Sequence, residues 1–275
     1  MVVETMRGQR WIERSFREDL RALMRQRELA WRLYLADVAE QRRNSGLGLV
    51  APFISIFVHV VLLGSVMGLV FHETLTDFIP FFAVSFALWQ GLSISVSASA
   101  HANEKVANYI GFPGISGYVV HLANAYDFLV AVSLKVLAVA IIIATVNFDV
   151  LKHANYLGFA LGLVLTTFAM ICWALPTAYI FDRFRLFRGF LPQFLFAVYL
   201  ITPILWSPDR IKAHRWVVDF NPVYHLVEIS RGPMLNGGWP LVSLSVVTGL
   251  CLLGMLVSYM VFPANRELVV FRWVA

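Results

Sequence analysis

The sequence SPDRIKAHRWVVDFNPVYHLVEISRGPMLNGG, residues 207–238, lies between two long apolar segments and is itself neither terminal nor membrane-spanning in character. Its second half begins with Asn221-Pro222, a helix start in which the Asn side chain caps free N–H groups and Pro occupies the first helical position. Its first half, Asp209–Phe220, mixes basic and large apolar residues, which is typical of a helix at a membrane surface. We therefore predict two short helices that re-enter between spanning segments.

Three polar side chains of the second helix follow one another at intervals of three residues. His225, Glu228 and Arg231 therefore crowd one face, and Glu228 can pair with Arg231. Gly232-Pro233 is expected to end this helix. Capping by Asn221 plus a stabilising ion pair is one interpretation of these residues, and a functional role of the shared face is the other.

The composition identifies an integral membrane protein. Hydrophobic residues make up 59% of the 275 residues and charged residues only 14%, whereas a soluble domain carries roughly 25% charged residues. The mean hydropathy is +0.71. The net charge of +5 suits phosphate and lipid headgroups, but cytoplasmic loops collect the same residues, so it does not indicate nucleic-acid binding. Cys172 and Cys251 lie in apolar runs without disulfide or metal spacing.

Residues 1–46 are polar and rich in arginine. Apolar residues recur in them at spacings of three and four, a pattern that predicts an amphipathic helix on the inner leaflet. The stripe consists of Phe16, Leu20, Leu23, Met24, Trp31, Tyr34, Leu35 and Val38. Because this region lacks the short apolar core of a signal peptide, the amino terminus is expected to stay in the cytoplasm.

Six apolar segments follow, and each has the roughly 20 residues that a helix needs to cross a bilayer. They are Leu47–Phe71, Phe78–Ala100, Ile115–Val146, Tyr156–Ile180, Leu186–Ser207 and Leu241–Phe262. Lys and Arg number 16 on the side that holds both termini and 5 on the other side. Both termini are therefore predicted to be cytoplasmic.

The sequence thus predicts an all-α integral membrane protein with six transmembrane helices. An amphipathic interface region occupies residues 1–46, the transmembrane domain residues 47–262 and a cytoplasmic tail residues 263–275. Two short re-entrant outer helices lie within about 207–238.

The third segment carries two charges inside the membrane. Asp127 and Lys135 are eight residues apart and so lie on roughly the same helix face. One interpretation is that they pair or reach towards polar surroundings within the bundle. The other is that they belong to a polar pathway, because charges at this depth are costly.

Catalytic and ATP-binding motifs are missing from the sequence. Neither HExxH nor a paired-carboxylate pattern occurs, so an enzyme is not expected. The ATP-binding motif GxxxxGK[ST] is also missing, since the four lysines are followed by Val, Val, His and Ala. Uphill transport would therefore need energy from a separate ATPase subunit or from an ion gradient. Coupling to an ion gradient would need a chain of intramembrane acids, and Asp127 is the only one available, which favours a separate ATPase.

Four pieces of the sequence, in this order and spacing, resemble the permease subunits of ABC-2 type polysaccharide exporters of the Wzm and KpsM type, which export O-antigen or capsule. They are RELAWRLYLADVAEQRRNSGLGLVAP before the first span, NEKVANYIGFP after the second, RFRLFRGFLP entering the fifth and NPVYHLVEISR before the sixth. The resemblance covers nearly the whole chain.

The resemblance implies a homodimer in the cytoplasmic (inner) membrane, joined to two nucleotide-binding subunits, with a central channel for a lipid-linked polysaccharide. It implies that this chain binds no cofactor and that the partner subunit binds ATP and Mg²⁺. It also implies that the segment at about 101–114 docks into the ATPase as a coupling helix. The candidate coupling residues are Asn103, Glu104, Lys105, Asn108, Tyr109, Phe112 and Pro113.

Aromatic residues are candidates for the channel wall, because flat rings stack on sugar faces without fixing one hydrogen-bond pattern. The alternative is that they face lipid or form the membrane-interface belt. The candidates, in the segments where the resemblance places the channel, are Phe53, Phe57, Phe82, Phe86, Trp89, Phe194, Tyr199 and Trp206.

Five arginines are candidates for binding the phosphate of a lipid-linked substrate on its way into the channel, through forked hydrogen bonds. They are Arg42, Arg43, Arg183, Arg185 and Arg188. They are equally typical of positive-inside topology signals. Under the same resemblance, Asn221, His225, Glu228 and Arg231 would form an outer gate that opens as polymer passes.

Two other functions stay open at this stage. An ABC-2 exporter of a drug, haem or simple lipid would share the fold but have a narrower, less aromatic path. An ion-coupled secondary transporter or a membrane scaffold would purify without an ATPase.

Overall fold

Helices form nearly all of the part of the chain that the computed structural model describes. It describes residues 15–45, 50–109, 112 and 115–274, with side chains given except at 41–45, 50–52, 212 and 272–274. Within these ranges no β-strand occurs.

Two helices, α1 (Phe16–Arg25) and α2 (Arg27–Ser45), form the amino-terminal region. Helix α1 begins at Ser15 with a capping box, in which Ser15 Oγ accepts from the Glu18 N–H and the Glu18 carboxylate accepts from the Ser15 N–H. The apolar stripe predicted here is only partly buried, since Leu23 is covered while Met24 is 72% exposed. The exposed part remains available to lipid.

A buried ion pair fastens α1 to the last helix of the chain. Asp19 lies 2.9 Å from Arg266, and the two side chains are 1% and 2% exposed. Phe16 also packs edge-to-face on Phe262. Arg266, counted in the sequence as a topology signal, is therefore part of the protein interior.

The next elements are mostly long apolar helices. Residues Val50–Val70 comprise α3 (Val50–His59), a π-helical turn (Val60–Gly64) and α4 (Ser65–Val70). Then come α5 (Leu75–Ala100), α6 (Ala102–Ala107), α7 (Val119–Val146), α8 (Phe148–His153) and α9 (Tyr156–Arg183). In the described chain, five helices are long and apolar enough to cross a membrane: Phe53–Val70, Leu75–Ala100, Val119–Val146, Tyr156–Arg183 and Leu241–Phe271.

The fifth predicted span, 186–207, is not one continuous helix. It is divided into α10 (Arg185–Gly189) and α11 (Leu191–Ile201), after which the backbone turns extended at Thr202. A proline disfavours helical conformation in the residue before it, and Pro203 follows Thr202. Helix α11 has 11 residues and is roughly 16 Å long, about half the thickness of a hydrocarbon core.

The outer stretch, residues 207–238, consists of a 3₁₀ segment (Pro208–His214), α12 (Trp216–Asp219) and α13 (Pro222–Asn236). The single surface helix expected over 209–220 is thus two shorter pieces. The predicted cap is confirmed, because Asn221 Oδ1 accepts from the N–H groups of the next turn. The predicted end is wrong: α13 continues through Pro233 to Asn236, and Gly237 caps it with the positive φ of 68° that glycine tolerates.

Helix α13 is part of the core. Two glycines of α9 allow its close approach, since a Cβ at Gly162 would lie 2.5 Å from the Ile229 carbonyl and one at Gly158 would lie 2.9 Å from Pro233. Helix α14 (Leu241–Val274) then continues without a break into the residues predicted as a separate tail from 263 onward.

Candidate functional site

Arg231 joins three parts of the bundle, namely α13, α5 and the residues that follow α11. Its guanidinium pairs with Glu228 at 2.8 Å on the same helix, as the spacing predicted. It also donates to the Pro203 carbonyl at 2.7 Å and to Ser85 Oγ at 3.0 Å, and it lies 4.6 Å from the ring centre of Phe81. The side chain is 3% exposed. Arg231 therefore satisfies a carbonyl at the break after α11 and ties α13 to α5.

The other two predicted gate residues anchor the amino-terminal end of α13. Asn221, besides capping the helix, donates from Nδ2 to Thr202 Oγ1 at 3.0 Å. His225 is buried, with Nδ1 3.0 Å from Ser243 Oγ and Nε2 2.9 Å from the Asp219 carbonyl. Asn221, His225 and Arg231 thus link α13 to α5, α12, α14 and the residues that follow α11.

A cavity of about 870 Å³ opens between α3, α5, α7 and α11. Most of its wall is apolar, but we name it the polar cavity for the polar and charged residues that also line it. Three of the predicted channel aromatics line it, namely Phe86, Trp89 and Tyr199. Phe86 and Tyr199 meet edge-on with ring centres 6.2 Å apart. The polar part of the wall consists of Ser55, His59, Gln90, Ser93, Ser97, Asp127 and Lys135.

An apolar cavity of about 710 Å³ lies on the other side of α11, against α5, α9, α12 and α13. Two of the predicted aromatics line this cavity. Trp89 lines the polar cavity as well, whereas Phe194 lines only the apolar one. Trp216 and Phe220 of the outer stretch complete its wall. The short helix α11 therefore separates a polar cavity from an apolar one.

The remaining predicted aromatics do not line these two cavities. Phe82 is fully buried between Phe78 and Phe86 and is a packing residue. Phe53 packs against the same core, Phe57 is 56% exposed on the outside of the bundle, and the Trp206 indole N–H donates to the Leu200 carbonyl at 3.0 Å. A shared aromatic type was not sufficient to predict position.

The predicted coupling segment forms α6, and its first predicted residue is internal. Asn103 is 1% exposed and exchanges amide hydrogen bonds with Asn265 of α14, at 2.7 and 3.3 Å. It also donates to Asp182 of α9 at 3.3 Å. Asn103 therefore holds α6 in place and is covered from any docking partner.

Other coupling candidates face outward. Glu104 forms an ion pair with Arg188 of α10, and Lys105 lies 2.6 Å from Asp37 of α2. Asn108 is exposed and Phe112 is 58% exposed. Tyr109 packs against the small apolar cluster beneath α6, and Pro113 lies outside the described residues. Helix α6 thus forms polar contacts with α2, α9, α10 and α14 and presents an outward surface.

The five predicted phosphate-binding arginines differ in how free their guanidinium groups are. Arg183 and Arg185 are exposed, and Arg183 lies over the Phe184 ring. Arg188 is 14% exposed and engages Glu104 and, at 3.4 Å, Asp182. Arg188 is therefore a link between α6 and α9. The side chains of Arg42 and Arg43 lie outside the described part.

Several partners in these networks carry no signal in the sequence. Ser85 is one of many serines in α5, and Pro203 acts through its backbone carbonyl. Asn265 lies in what read as a tail. Among the described residues, no group of three His, Cys, Asp or Glu could hold a metal ion.

Comparison with known proteins identifies the family. A search of curated proteins finds no match. The family model described as ABC-2 type transporter matches residues 28–235, well over half of the chain, and this range includes α6, both cavities and nearly all of α13. The chain therefore belongs to the ABC-2 type transporter family, as a membrane-spanning permease component.

Proposed function

We propose that this permease exports a lipid-linked polysaccharide, such as an O-antigen or capsular polymer, across the cytoplasmic membrane. It would act as a homodimer with six crossings per copy, the fifth made by α11 with the residues after it, and with both termini in the cytoplasm. Membership of the family implies a partner that binds and hydrolyses ATP. Helix α6 and the residues around Phe112 would transmit the motion of that partner.

The observation that carries this proposal is the pair of cavities flanking α11. A polymer with varied sugars needs a wide surface that binds many residues weakly. The polar cavity offers aromatic faces from Phe86, Trp89 and Tyr199 beside hydroxyl and amide groups. Its volume of about 870 Å³ is near the top of the range of small-molecule sites. This volume is formed by a single copy of the chain. Two copies facing each other would extend this surface into a path.

The outer helix α13 supports the same proposal. Its Arg231 bonds reach the end of α11 and the side of α5, both of which border a cavity. If α11 shifted, either these hydrogen bonds would break or α13 would move together with α11. The four residues Asn221, His225, Glu228 and Arg231 would thereby couple the path to its outer closure.

Phe112 gives a direct test of the ATPase connection. Phe112→Asp places a charge on a 58% exposed ring beside α6, and we expect it to abolish co-purification of the ATP-binding partner. Phe148→Asp is the matched control, because Phe148 is 56% exposed at the opposite end of the bundle and should leave the complex intact. Retention of the partner and of normal ATP hydrolysis by Phe112→Asp would reject the docking role.

A further inference from the structure

A groove of about 740 Å³ lies between α1 and the later part of α14, away from both cavities that flank α11. Its walls include Phe16, Arg17 and Leu20 of α1 and, facing them, Tyr259 and Met260 of α14. Tyr259 and Met260 are 61% and 69% exposed, so this wall is open to the surroundings of the chain. The groove therefore combines an arginine with apolar side chains.

The position of the groove along α14 is that of a membrane boundary. Leu241 begins both α14 and its candidate span, and Tyr259 follows it by 18 residues, roughly 27 Å along a helix axis. The hydrocarbon core of a bilayer is about 30 Å thick, so α14 leaves the core close to Tyr259. Tyrosine is enriched at this boundary. A lipid beside the groove would thus have its headgroup at the level of α1.

The surface of α1 changes from apolar to basic next to the groove. Leu20 and Met24 are one turn apart, and both are exposed. Arg17, Arg21 and Arg25 form an exposed row beside them, at intervals of four residues. Within the described residues, none of these three guanidinium groups has an ion-pair or hydrogen-bond partner. Such a face is typical of a helix that inserts apolar side chains below anionic headgroups.

The two acids of α1 are already engaged. Asp19 forms the buried ion pair with Arg266 at 2.9 Å, and the Glu18 carboxylate accepts from the backbone N–H that precedes α1, also at 2.9 Å. The ion pair fixes α1 to α14, and Phe16 packs edge-to-face on Tyr259 with ring centres 5.6 Å apart. The walls of the groove are therefore fixed to each other before a ligand binds.

We propose that this groove binds an anionic phospholipid of the surrounding membrane. Arg17 pairs with the lipid phosphate through its forked N–H groups, and an acyl chain lies along Leu20, Tyr259 and Met260. A free phosphate would leave the apolar wall uncovered, and a zwitterionic headgroup would bring its own cation towards the arginine row. The groove is separate from the proposed export path, so the inference goes beyond the proposed function and does not depend on the exported substrate.

Native mass spectrometry of the detergent-solubilised full chain measures lipid binding directly. We expect dioleoyl phosphatidylglycerol to bind at least about fivefold more tightly than dioleoyl phosphatidylcholine, since each basic residue near a membrane surface contributes about fivefold to the affinity for anionic lipid. Equal affinities of the two lipids would overturn the proposal. Equal competition by glycerol 3-phosphate would also overturn it, because a free phosphate would then account for the binding.

Substitutions in the arginine row distinguish a site from general attraction to α1. Arg17→Gln should weaken phosphatidylglycerol binding by about fivefold, whereas Arg17→Lys keeps the charge and should bind within about twofold of wild type. Arg25→Gln is the matched control, because Arg25 is an exposed, unpaired arginine of the same helix, roughly 12 Å from Arg17 along the axis. That distance exceeds the roughly 8 Å over which charges act at an ionic strength of about 0.15 M. An equal loss in Arg25→Gln, or no loss in Arg17→Gln, would refute the site.

A variant on the other wall tests the groove while leaving every arginine in place. Met260→Asp puts a carboxylate opposite Arg17 and should weaken phosphatidylglycerol binding by at least about fivefold. Phe271→Asp is its control, because Phe271 is also exposed on α14 but lies three turns beyond the groove. Unchanged binding by Met260→Asp would place the lipid elsewhere and contradict the proposal. The assay needs no ATPase, so the site can fail while ATP-dependent export stands, and export can fail while the site binds.

Discussion

Removal of Arg231 is expected to be one of the most destabilising single changes in the outer half of the bundle. Arg231→Met leaves the Glu228 carboxylate, which is 17% exposed, without its partner. Breaking a buried ion pair from one side costs about 3–5 kcal/mol. Loss of the hydrogen bonds to Pro203 and Ser85 adds roughly 1 kcal/mol each to this cost, if water does not replace Arg231 at the two acceptors. We expect a loss of about 4 kcal/mol, because these contributions share one side chain and are not additive.

Glu228→Gln should cost a similar amount, about 3–5 kcal/mol. It leaves the Arg231 guanidinium, which is only 3% exposed, without its counter-ion. The double variant removes both charges and should be more stable than Arg231→Met alone, by about 1–3 kcal/mol. This ordering follows from the pair being buried together.

Thermal unfolding in nanodiscs measures these differences. A loss of 4 kcal/mol corresponds to a fall in apparent melting temperature on the order of 10 °C for a chain of this size. Arg215→Met is the control, since Arg215 is 49% exposed and its ion pairs are longer, at 3.5 and 3.7 Å, so its loss should cost no more than about 1 kcal/mol. A double variant less stable than Arg231→Met would refute the reasoning. Wild-type export rates in every variant would reject the gate role of this face.

Three further outcomes follow from the packing. Gly162→Ala should destabilise the chain by about 1–3 kcal/mol, because the new Cβ would lie 2.5 Å from the Ile229 carbonyl oxygen of α13. Gly249→Ala is the control: its Cβ has open space around it, so it should be neutral or slightly stabilising in the same unfolding assay. Gly237→Ala should lower stability by about 1–2 kcal/mol, since its φ is 68° and its Cβ would lie 2.6 Å from a carbonyl; a melting temperature equal to wild type would contradict this. Asn103→Ala should reduce export more than ATP hydrolysis in the partner complex because α6 loses its tie to α14, and combining it with Asn265→Ala should add little; additive losses would show that the two amides act separately.

The local features of the outer stretch were predictable because they depend on short spacings. Asn221 caps α13 through bonds to residues two and three positions on, and Glu228 pairs with Arg231 three positions on. Such contacts are fixed by helix geometry alone. Hydropathy likewise identified the long spans, since length and composition decide whether a helix can cross a membrane.

The features that could not be predicted from the sequence depend on contacts between distant parts of the chain. The acceptors of Arg231 lie 28 and 146 residues away, and Asn103 meets Asn265 across 162 residues. A window of sequence carries no information on such partners. The break within the fifth predicted span was missed for a different reason: hydropathy counts apolar residues, whereas the break at Thr202 comes from the backbone restriction that Pro203 imposes.

The composition of a helix also did not predict which of its side chains face a cavity and which are packed in the core. Phe82 and Phe86 are one turn apart in α5, yet Phe82 is covered by packing while Phe86 reaches the cavity. Lys135 and Asp127 were correctly placed on one side of α7, and both line the polar cavity.

Transfer of a lipid-linked glycan across the membrane of reconstituted vesicles tests the central claim most directly. The vesicles contain this chain with its ATP-binding partner, and transfer is followed by protection of the glycan from an added glycosidase. We predict transfer that requires Mg-ATP and the partner and that is lost with Phe112→Asp. Transfer that proceeds without the partner, follows a proton or sodium gradient and is abolished by Asp127→Asn would contradict the account.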